Sequence, residues 1–523
     1  MLVAQGQSNQ SRGSSPSTQC CTGAHGQKHG AHKAASAAEK FAARASTLLD
    51  AASINKGEWG ILVMDAESGE ALYEQNADRY FVPASNMKLF TTALALAKLG
   101  VDYRFRTTLE TQGSVSSEGT LIGDLVLVGR GDPNLSNRKF PFQIREEFDG
   151  APEKVLAELA DALARKGVKE ISGDIVGDDS YFPRERYPSG WTIDDMVWQY
   201  GAAISAIVVD DNTVSLTLTP GEKAGDPARA ILTPMTPDFL VENDVVTSAA
   251  GVKADLTLTR EPGANLVVIK GTLPALSAPR KLVLAVQEPS LHAAALLKQL
   301  LEDRGIKIMG AVRAKHDPSE PLRASTVLAE HVSIPLGDSI KLVNKISQNL
   351  HTEMLLRTVA RQKGIWATPD ELAKVPEEFY AAAGIAPGDV IQSDGSGLSR
   401  QDLVTPHAIV TLLKYAQTQP WFNAYYDSLP IAGIDGTLED RMKDTPAAGR
   451  VHAKTGSVEH VRTLSGYADL KNGRRVIFSF LSNNGNTKDH AVAQVLDGLC
   501  VALVEEFGDH AKESRPVTHP RVM

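Results

Sequence analysis

Three short strings carry side chains that could do chemistry together: Ser85-Asn86-Met87-Lys88, Ser347-Gln348-Asn349 and Lys454-Thr455-Gly456. A serine hydroxyl is a weak nucleophile until a base takes its proton. In Ser-x-x-Lys the two side chains stand three residues apart, on one face of a helix, so Lys88 can serve Ser85. The run after it, Leu89 to Ala97, is apolar on nearly every side. Lys88 is therefore expected one turn into a buried helix, where desolvation favours the neutral amine that a base requires. A second cation would push the same way, and Lys454 is the candidate. Ser85 at the helix start also leaves its own N–H unpaired for a developing oxyanion.

Ser347 and Asn349 are two apart, which at a bend turns both side chains into one cavity. Ser347 can then relay a proton between Lys88 and a leaving amine, and Asn349 can hold Lys88 and bond a substrate amide. Lys454 offers a positive charge and Thr455 a hydroxyl to a substrate ending in a carboxylate. Gly456 allows substrate backbone close to a strand, and Ser457 would add a second oxyanion N–H. Each string alone has a plainer reading: a surface Ser and Lys on an ordinary helix, a Ser/Asn helix cap, a polar edge strand. Their order and their contexts make the case for a single acyl-transfer site.

These residues need elements to hold them. A helix with Phe41, Ala45, Leu48 and Leu49 on one face is expected first, then strands Trp59–Met64 and Ala71–Tyr73 joined by the turn Asp65-Ala66-Glu67-Ser68-Gly69. The Lys88 helix stops at Gly100. Strands Thr463–Leu470 and Arg475–Leu481 follow the third string, and a last helix carries Val492, Val495, Leu496, Leu499 and Leu503 at helical spacing. The two ends of the chain must therefore meet in one α/β domain. Between them the texture changes. Strand-like runs (Asp124–Val128, Glu170–Val176, Asn212–Leu218, Asp255–Thr259, Leu266–Gly271, Lys281–Val286) dominate, with a helix at Pro152–Lys166 and another at Leu291–Arg304. This reads as a large insertion. The expected division is a disordered arm over 1–34, a catalytic domain over 35–108 and 336–508, an α+β domain over 109–211 and 281–335, a small β domain over 212–280, and a loose tail over 509–523.

The 523 residues exceed a single core, and 42% apolar with 22% charged content is that of an ordinary soluble protein. A net charge of −9 without a dense basic run argues against a nucleic-acid partner. No run approaches the ~20 apolar residues of a membrane span. Met1 to Gln19 is polar, with no apolar core of a signal peptide. Three cysteines (Cys20, Cys21 and Cys500) make no disulfide framework. A lipid anchor on Cys20 lacks a preceding apolar segment, and the arm histidines His25, His29 and His32 read as a solvated tail. No metal or cofactor is expected.

Longer strings narrow the chemistry. They are Gly123-Asp124-Leu125, Gly131-Asp132-Pro133, Gly173-Asp174-Ile175, Asp178-Asp179-Ser180-Tyr181-Phe182, the run Ser393 to Arg400 (SDGSGLSR), and Gly433 to Leu438 (GIDGTL). With the three motifs they resemble the D-alanyl-D-alanine carboxypeptidase/endopeptidase family of class C low-molecular-mass penicillin-binding proteins, from about residue 36 to 507. The gap of about 260 residues between Ser85 and Ser347 is part of the resemblance, because that family carries two extra domains there. It implies a β-lactamase/penicillin-binding-protein-like catalytic domain, a central antiparallel sheet flanked by helices, split by an insertion forming two smaller β-rich domains.

The resemblance further implies an exported, periplasmic or extracytoplasmic enzyme of peptidoglycan metabolism. It would remove the terminal D-alanine from stem peptides through a Ser85 acyl-enzyme, with cleavage of D-amino-acid cross-links as a second activity, and β-lactams would acylate the same serine. Asn349, Lys454, Thr455 and Ser457 match its substrate-holding and oxyanion positions. Asp179 and Arg400 match positions that recognise the diamino-acid side chain of the stem, an acid for its ammonium and a guanidinium fork for its carboxylate. The middle residue of the second motif is usually Asp in this family and is Gln348 here. A β-lactamase or serine esterase would use the same site, and a non-catalytic penicillin-binding sensor would keep only the fold; Ser85, Lys88 and Lys454 are all present, against the latter. The sequence leaves a dimer open.

Overall fold

The structure is a computed structural model that describes residues 35–51, 54–236, 239–317, 325–365, 368–485 and 490–508. The arm with Cys20, Cys21 and its histidines and the tail from 509 lie outside the described residues.

Both ends of the chain contribute to one five-stranded antiparallel sheet. Its spatial order is Ala71–Gln75, Glu58–Asp65, Arg475–Asn483, Val461–Asp469 and Val451–Val458. Glu58 pairs with Asn483 and Asp65 with Val476, so the first long strand lies along the last one. Alternation along each strand divides the side chains between two cores. Trp59, Ile61, Val63, Phe478 and Phe480 meet Phe41 and Leu49 of the Ala37–Leu49 helix and Leu496, Leu499 and Leu503 of the Ala491–Gly508 helix. Leu62, Ile477 and Leu481 meet Phe90 and Leu94 of the Met87–Leu99 helix and Leu412 of the Pro406–Ala416 helix. Cys500 is buried in the first of these layers, where burial pushes its thiol pKa up. It is a packing residue, and not a nucleophile.

Among the described residues, four further sheets lie between 105 and 333. Helices Lys154–Arg165 and Pro289–Glu302 cover a five-stranded sheet through Leu109, Leu127, Leu156, Leu159 and Leu297. Two three-stranded sheets pack around Leu216, Val267, Ile269 and Leu284. The strand Arg280–Ala285 pairs with Thr213–Thr219, so the small β group extends past the expected boundary at 280.

The strand expected over Glu170–Val176 is two strands, Glu170–Ile171 and Ile175–Asp178, in different sheets. Gly173 is the reason for the break: a Cβ there would sit 2.5 Å from the backbone of Gly123. Two Gly-Asp kinks cross at this point. Asp124 accepts the N–H of Asp174 at 2.8 Å, and Arg313 bridges both carboxylates at 2.6 and 3.0 Å. These strings are structural.

Candidate active site

Ser85 lies in a 3₁₀ turn, Ala84–Asn86, that runs directly into the helix Met87–Leu99. The turn is fixed from two sides. Thr463 donates to the Pro83 carbonyl at 2.9 Å, and the Asn86 amide donates to the Lys454 carbonyl at 2.8 Å. Gly456 of the edge strand Val451–Val458 packs against it so closely that a Cβ would lie 3.1 Å from the Ser85 nitrogen. The expectation from sequence assigned Gly456 to substrate approach; in the fold its bareness lets the strand meet the turn that carries Ser85.

Lys88 is fully buried. Its ammonium donates to Ser85 Oγ at 2.9 Å, Asn349 Oδ1 at 2.6 Å and the Ser396 carbonyl at 2.7 Å. All three N–H positions are used, one of them on the Ser85 hydroxyl. Burial pushes its pKa down to about 7, against the opposing pull of Asp394, Glu353 and Asp402. A group near neutrality is suited to proton transfer at physiological pH. Burial, and then the Lys88 charge, push Lys454 well below its ordinary value too.

The three carboxylates were not legible as site residues. Glu353 accepts the N–H groups of Gly395 and Ser396 at 2.9 and 2.8 Å and pairs with Arg357 at 3.0 Å. Burial and Asp394 raise it to about 7. Asp394 accepts from Gly397 and Ser399 backbone and from the Trp191 indole at 2.6, 2.8 and 2.8 Å. Asp402 accepts the N–H of Ser393 at 2.6 Å and is raised by burial. They hold the SDGSG loop rigid, so the Ser396 carbonyl stays on Lys88. Gly397, at φ +78°, lies where a Cβ would be 1.8 Å from the Ala84 carbonyl. The string that served only as a resemblance is thus a wall of the site.

Ser347 occupies a left-handed backbone position (φ 63°) just after the helix Leu336–Lys345, and Asn349 begins the helix Asn349–Gln362. Ser347 Oγ accepts from the Lys454 ammonium at 2.9 Å, and Lys454 also donates to the Thr455 carbonyl at 2.9 Å. The Asn349 amide donates to the Tyr200 carbonyl at 2.8 Å while its oxygen holds Lys88. Gln348 points away from Lys88: its oxygen caps the helix by accepting Leu350 N–H at 3.0 Å, and its NH₂ donates to Asp211 at 2.9 Å. Ser457 follows Gly456 on the same edge strand and is exposed.

Beside Thr455, the hydroxyl of Thr437 stands 2.7 Å from its Oγ1. Thr437 belongs to the GIDGTL loop, which is pinned by a buried pair, Lys345 to Asp435 at 2.5 Å. Gly436, at φ +58°, brings that loop within 2.6 Å (from a Cβ position) of the Lys345 carbonyl. Arg400 is exposed and contacts Glu459, one residue past the catalytic edge strand, at 3.3 and 3.5 Å. Asp179 is not brought into the cluster. Its carboxylate accepts from Ser205 at 2.8 Å and faces His316 at 2.6 Å.

The chain matches the D-Ala-D-Ala carboxypeptidase 3 (S13) family over residues 42–503. It is 35% identical over 465 residues to a D-alanyl-D-alanine carboxypeptidase of Actinomadura sp. (strain R39), covering 87% of this chain and 82% of that protein. The structure resembles the crystal structure of penicillin binding protein 4 from Haemophilus influenzae at TM-score 0.77 and 26% identity, over 89% of this chain and 99% of that one. A second structure of that protein, complexed with a β-lactam, matches at TM-score 0.71 and 25% identity, over 89% and 100% of the two chains.

Proposed function

Since the chain belongs to the D-Ala-D-Ala carboxypeptidase 3 (S13) family and is a serine-type D-alanyl-D-alanine carboxypeptidase, we propose that Ser85 is its nucleophile and Lys88 its base. The carrying observation is the Lys88 ammonium 2.9 Å from Ser85 Oγ, buried and lowered to about 7. In its neutral form Lys88 takes the Ser85 proton as Oγ attacks the carbonyl between the last two residues of a stem peptide. The N–H groups of Ser85 and Ser457 receive the oxyanion. Ser347 gives its proton to the departing D-alanine amine and recovers one from the Lys88 ammonium, and Lys88, neutral again, takes a proton from the water that releases the shortened peptide from Ser85.

Lys454, Thr455 and Thr437 are the proposed partners of the terminal carboxylate. An incoming anion beside Lys454 favours its charged form, so burial in the free site and charge in the complex are compatible. Asn349 would orient the substrate amide and Gly456 keep the strand on the nucleophile turn. Arg400, exposed at the end of that strand, could exchange Glu459 for a carboxylate on the stem side chain. Asp179 would have to give up Ser205 and His316 to take an ammonium. A β-lactam presents a strained amide with an adjacent carboxylate to the same groups, and the β-lactam complex described for the Haemophilus influenzae structure supports acylation here. Cleavage of cross-links is the same reaction with a longer leaving amine. Such substrates lie outside the cytoplasm; among the described residues no helix is long and apolar enough to cross a membrane. We also read 109–211 with 286–335 and 212–285 as two inserted domains.

The test is release of free D-alanine from a pentapeptide ending in D-alanyl-D-alanine, by the protein and by Ser85→Ala. The reading predicts release by the former and none by the latter. Equal release from both would remove Ser85 from the mechanism.

A further inference from the structure

Gln348, the middle residue of the second motif, turns its amide toward Asp211 of the inserted segment. Asp211, in the segment just before Thr213–Thr219, is buried at 8% exposure in a left-handed conformation (φ 52°). Its neighbours, Asp210 and Asn212, share that conformation. A run of three such non-glycine residues persists only where the surroundings over-determine it, and here the surroundings converge on one carboxylate. Asp211 Oδ1 accepts from Ser136 Oγ at 3.1 Å and faces His351 Nε2 at 3.0 Å; Oδ2 receives Arg138 and, at 2.9 Å, the Gln348 amide. Its own N–H donates to Ser136 Oγ at 2.9 Å. Arg138 and His351 hold it ionised, well below the ordinary carboxylate range.

We infer that Asp211 is a positioning residue for the second motif, acting through Gln348, and that this anion is what requires an amide at position 348. The turn it steadies is the left-handed Ser347, between the Lys454 bond on one side and the Asn349–Lys88 bond on the other. Gln348 must accept Leu350 N–H and donate to Asp211 at once. A carboxylate in its place can accept but has no proton to give, and it would stand against a fixed negative charge. Tyr200, also in the insertion, accepts from Asn349. The insertion thus supplies a clamp on both residues that flank the relay hydroxyl on its C-terminal side.

This inference rests on the acyl-transfer reading of the site, so the test carries two readouts. Gln348→Glu, Asp211→Asn and the double variant are compared with the parent chain for the rate of Ser85 acylation by benzylpenicillin from pH 5 to 8, and for thermal midpoint. Charged groups around Asp211 are Arg138, His351, Glu146 and Asp210, and all four stay in place in every variant. Gln348→Glu should be acylated ~10–100-fold more slowly at pH 7. Relative to the parent, that deficit should shrink as pH falls and the carboxylate pair shares a proton. In the double variant the amide introduced at position 211 can donate to the carboxylate introduced at position 348, at the expense of its Arg138 bond, so the double variant should lose less in rate and midpoint than the two single losses combined. A Gln348→Glu rate equal to the parent at every pH, or strictly additive losses in the double variant, overturns the inference. If the parent itself is not acylated, the acyl-transfer reading fails instead, and non-additive midpoints across the four proteins still decide whether Asp211 and Gln348 are coupled.

Discussion

At the scale of single residues, the site is defined by how protons and charges are shared among buried groups. Lys88 has three acceptors and no direct carboxylate partner, so its charge is stabilised only at a distance, by Asp394, Glu353 and Asp402. Desolvation outweighs them and brings it to about 7. A base must be neutral to act, so kcat/KM for a D-alanyl-D-alanine peptide should rise with pH through about 7 and level off above it. The same limb should govern acylation by penicillin, because both reactions begin with the Ser85 proton. Glu353 titrates in the same range next to it, so the observed value belongs to the coupled set. The check is kcat/KM across pH 5 to 9; a profile flat through neutrality would contradict Lys88 as the base. The Ser-x-x-Lys spacing and the apolar run after it were enough to anticipate the buried lysine. The carboxylates were not legible in this way. All three lie far from Lys88 along the chain, and nothing local marks an acid that faces a lysine of another helix.

At the scale of elements, the catalytic geometry is a junction of one helix start, one edge strand and two loops. Local pattern revealed these elements: the helix Met87–Leu99 and the strand Arg475–Asn483 as nearly unbroken apolar runs buried on all sides, and the terminal helices by apolar residues at helical spacing. It did not reveal the loops. SDGSG and GIDGTL have no periodicity, and their glycines mark close approach to partners, Ala84 and Lys345, distant along the chain. The same blindness joined Glu170–Ile171 and Ile175–Asp178 into one strand, since the close approach of Gly123 and Asp124 to Gly173 comes from a segment distant along the chain. The tightest junction is Gly456 on the nucleophile turn. Gly456→Ala places a methyl 2.8 Å from the Pro83 carbonyl and 3.1 Å from the Ser85 nitrogen, and 2.0 Å from Thr463 Oγ1. Backbone must yield, and an offset approaching 1 Å costs ~10²-fold in rate. Penicillin acylation of this variant should therefore be slowed by about that factor while its far-ultraviolet circular dichroism is unchanged. Parent-like acylation would show that strand and turn are not held in register.

At the scale of the whole molecule, the region between 105 and 333 reaches the residues of the proposed site directly. Tyr200, Asp211 and Trp191 reach Asn349, Gln348 and Asp394, and Ile144 accepts the N–H of Gly436 in the loop that bears Thr437. An insertion was expected from the change of texture after residue 105 and from the long gap between motifs. Its contacts were not, because they depend on how separate cores pack. The resemblance implied substrate recognition for Asp179, whose carboxylate in the fold accepts from Ser205 and faces His316. What unites all three scales is one claim, that the molecule is organised to make Ser85 a nucleophile. Intact-protein mass measurement after brief exposure to benzylpenicillin, followed by mapping of the modified peptide, addresses this directly. A single adduct of the antibiotic's full mass is expected, located on Ser85, long-lived, and absent in Ser85→Ala. An adduct on any other residue, or one that survives the Ser85→Ala substitution, would contradict it.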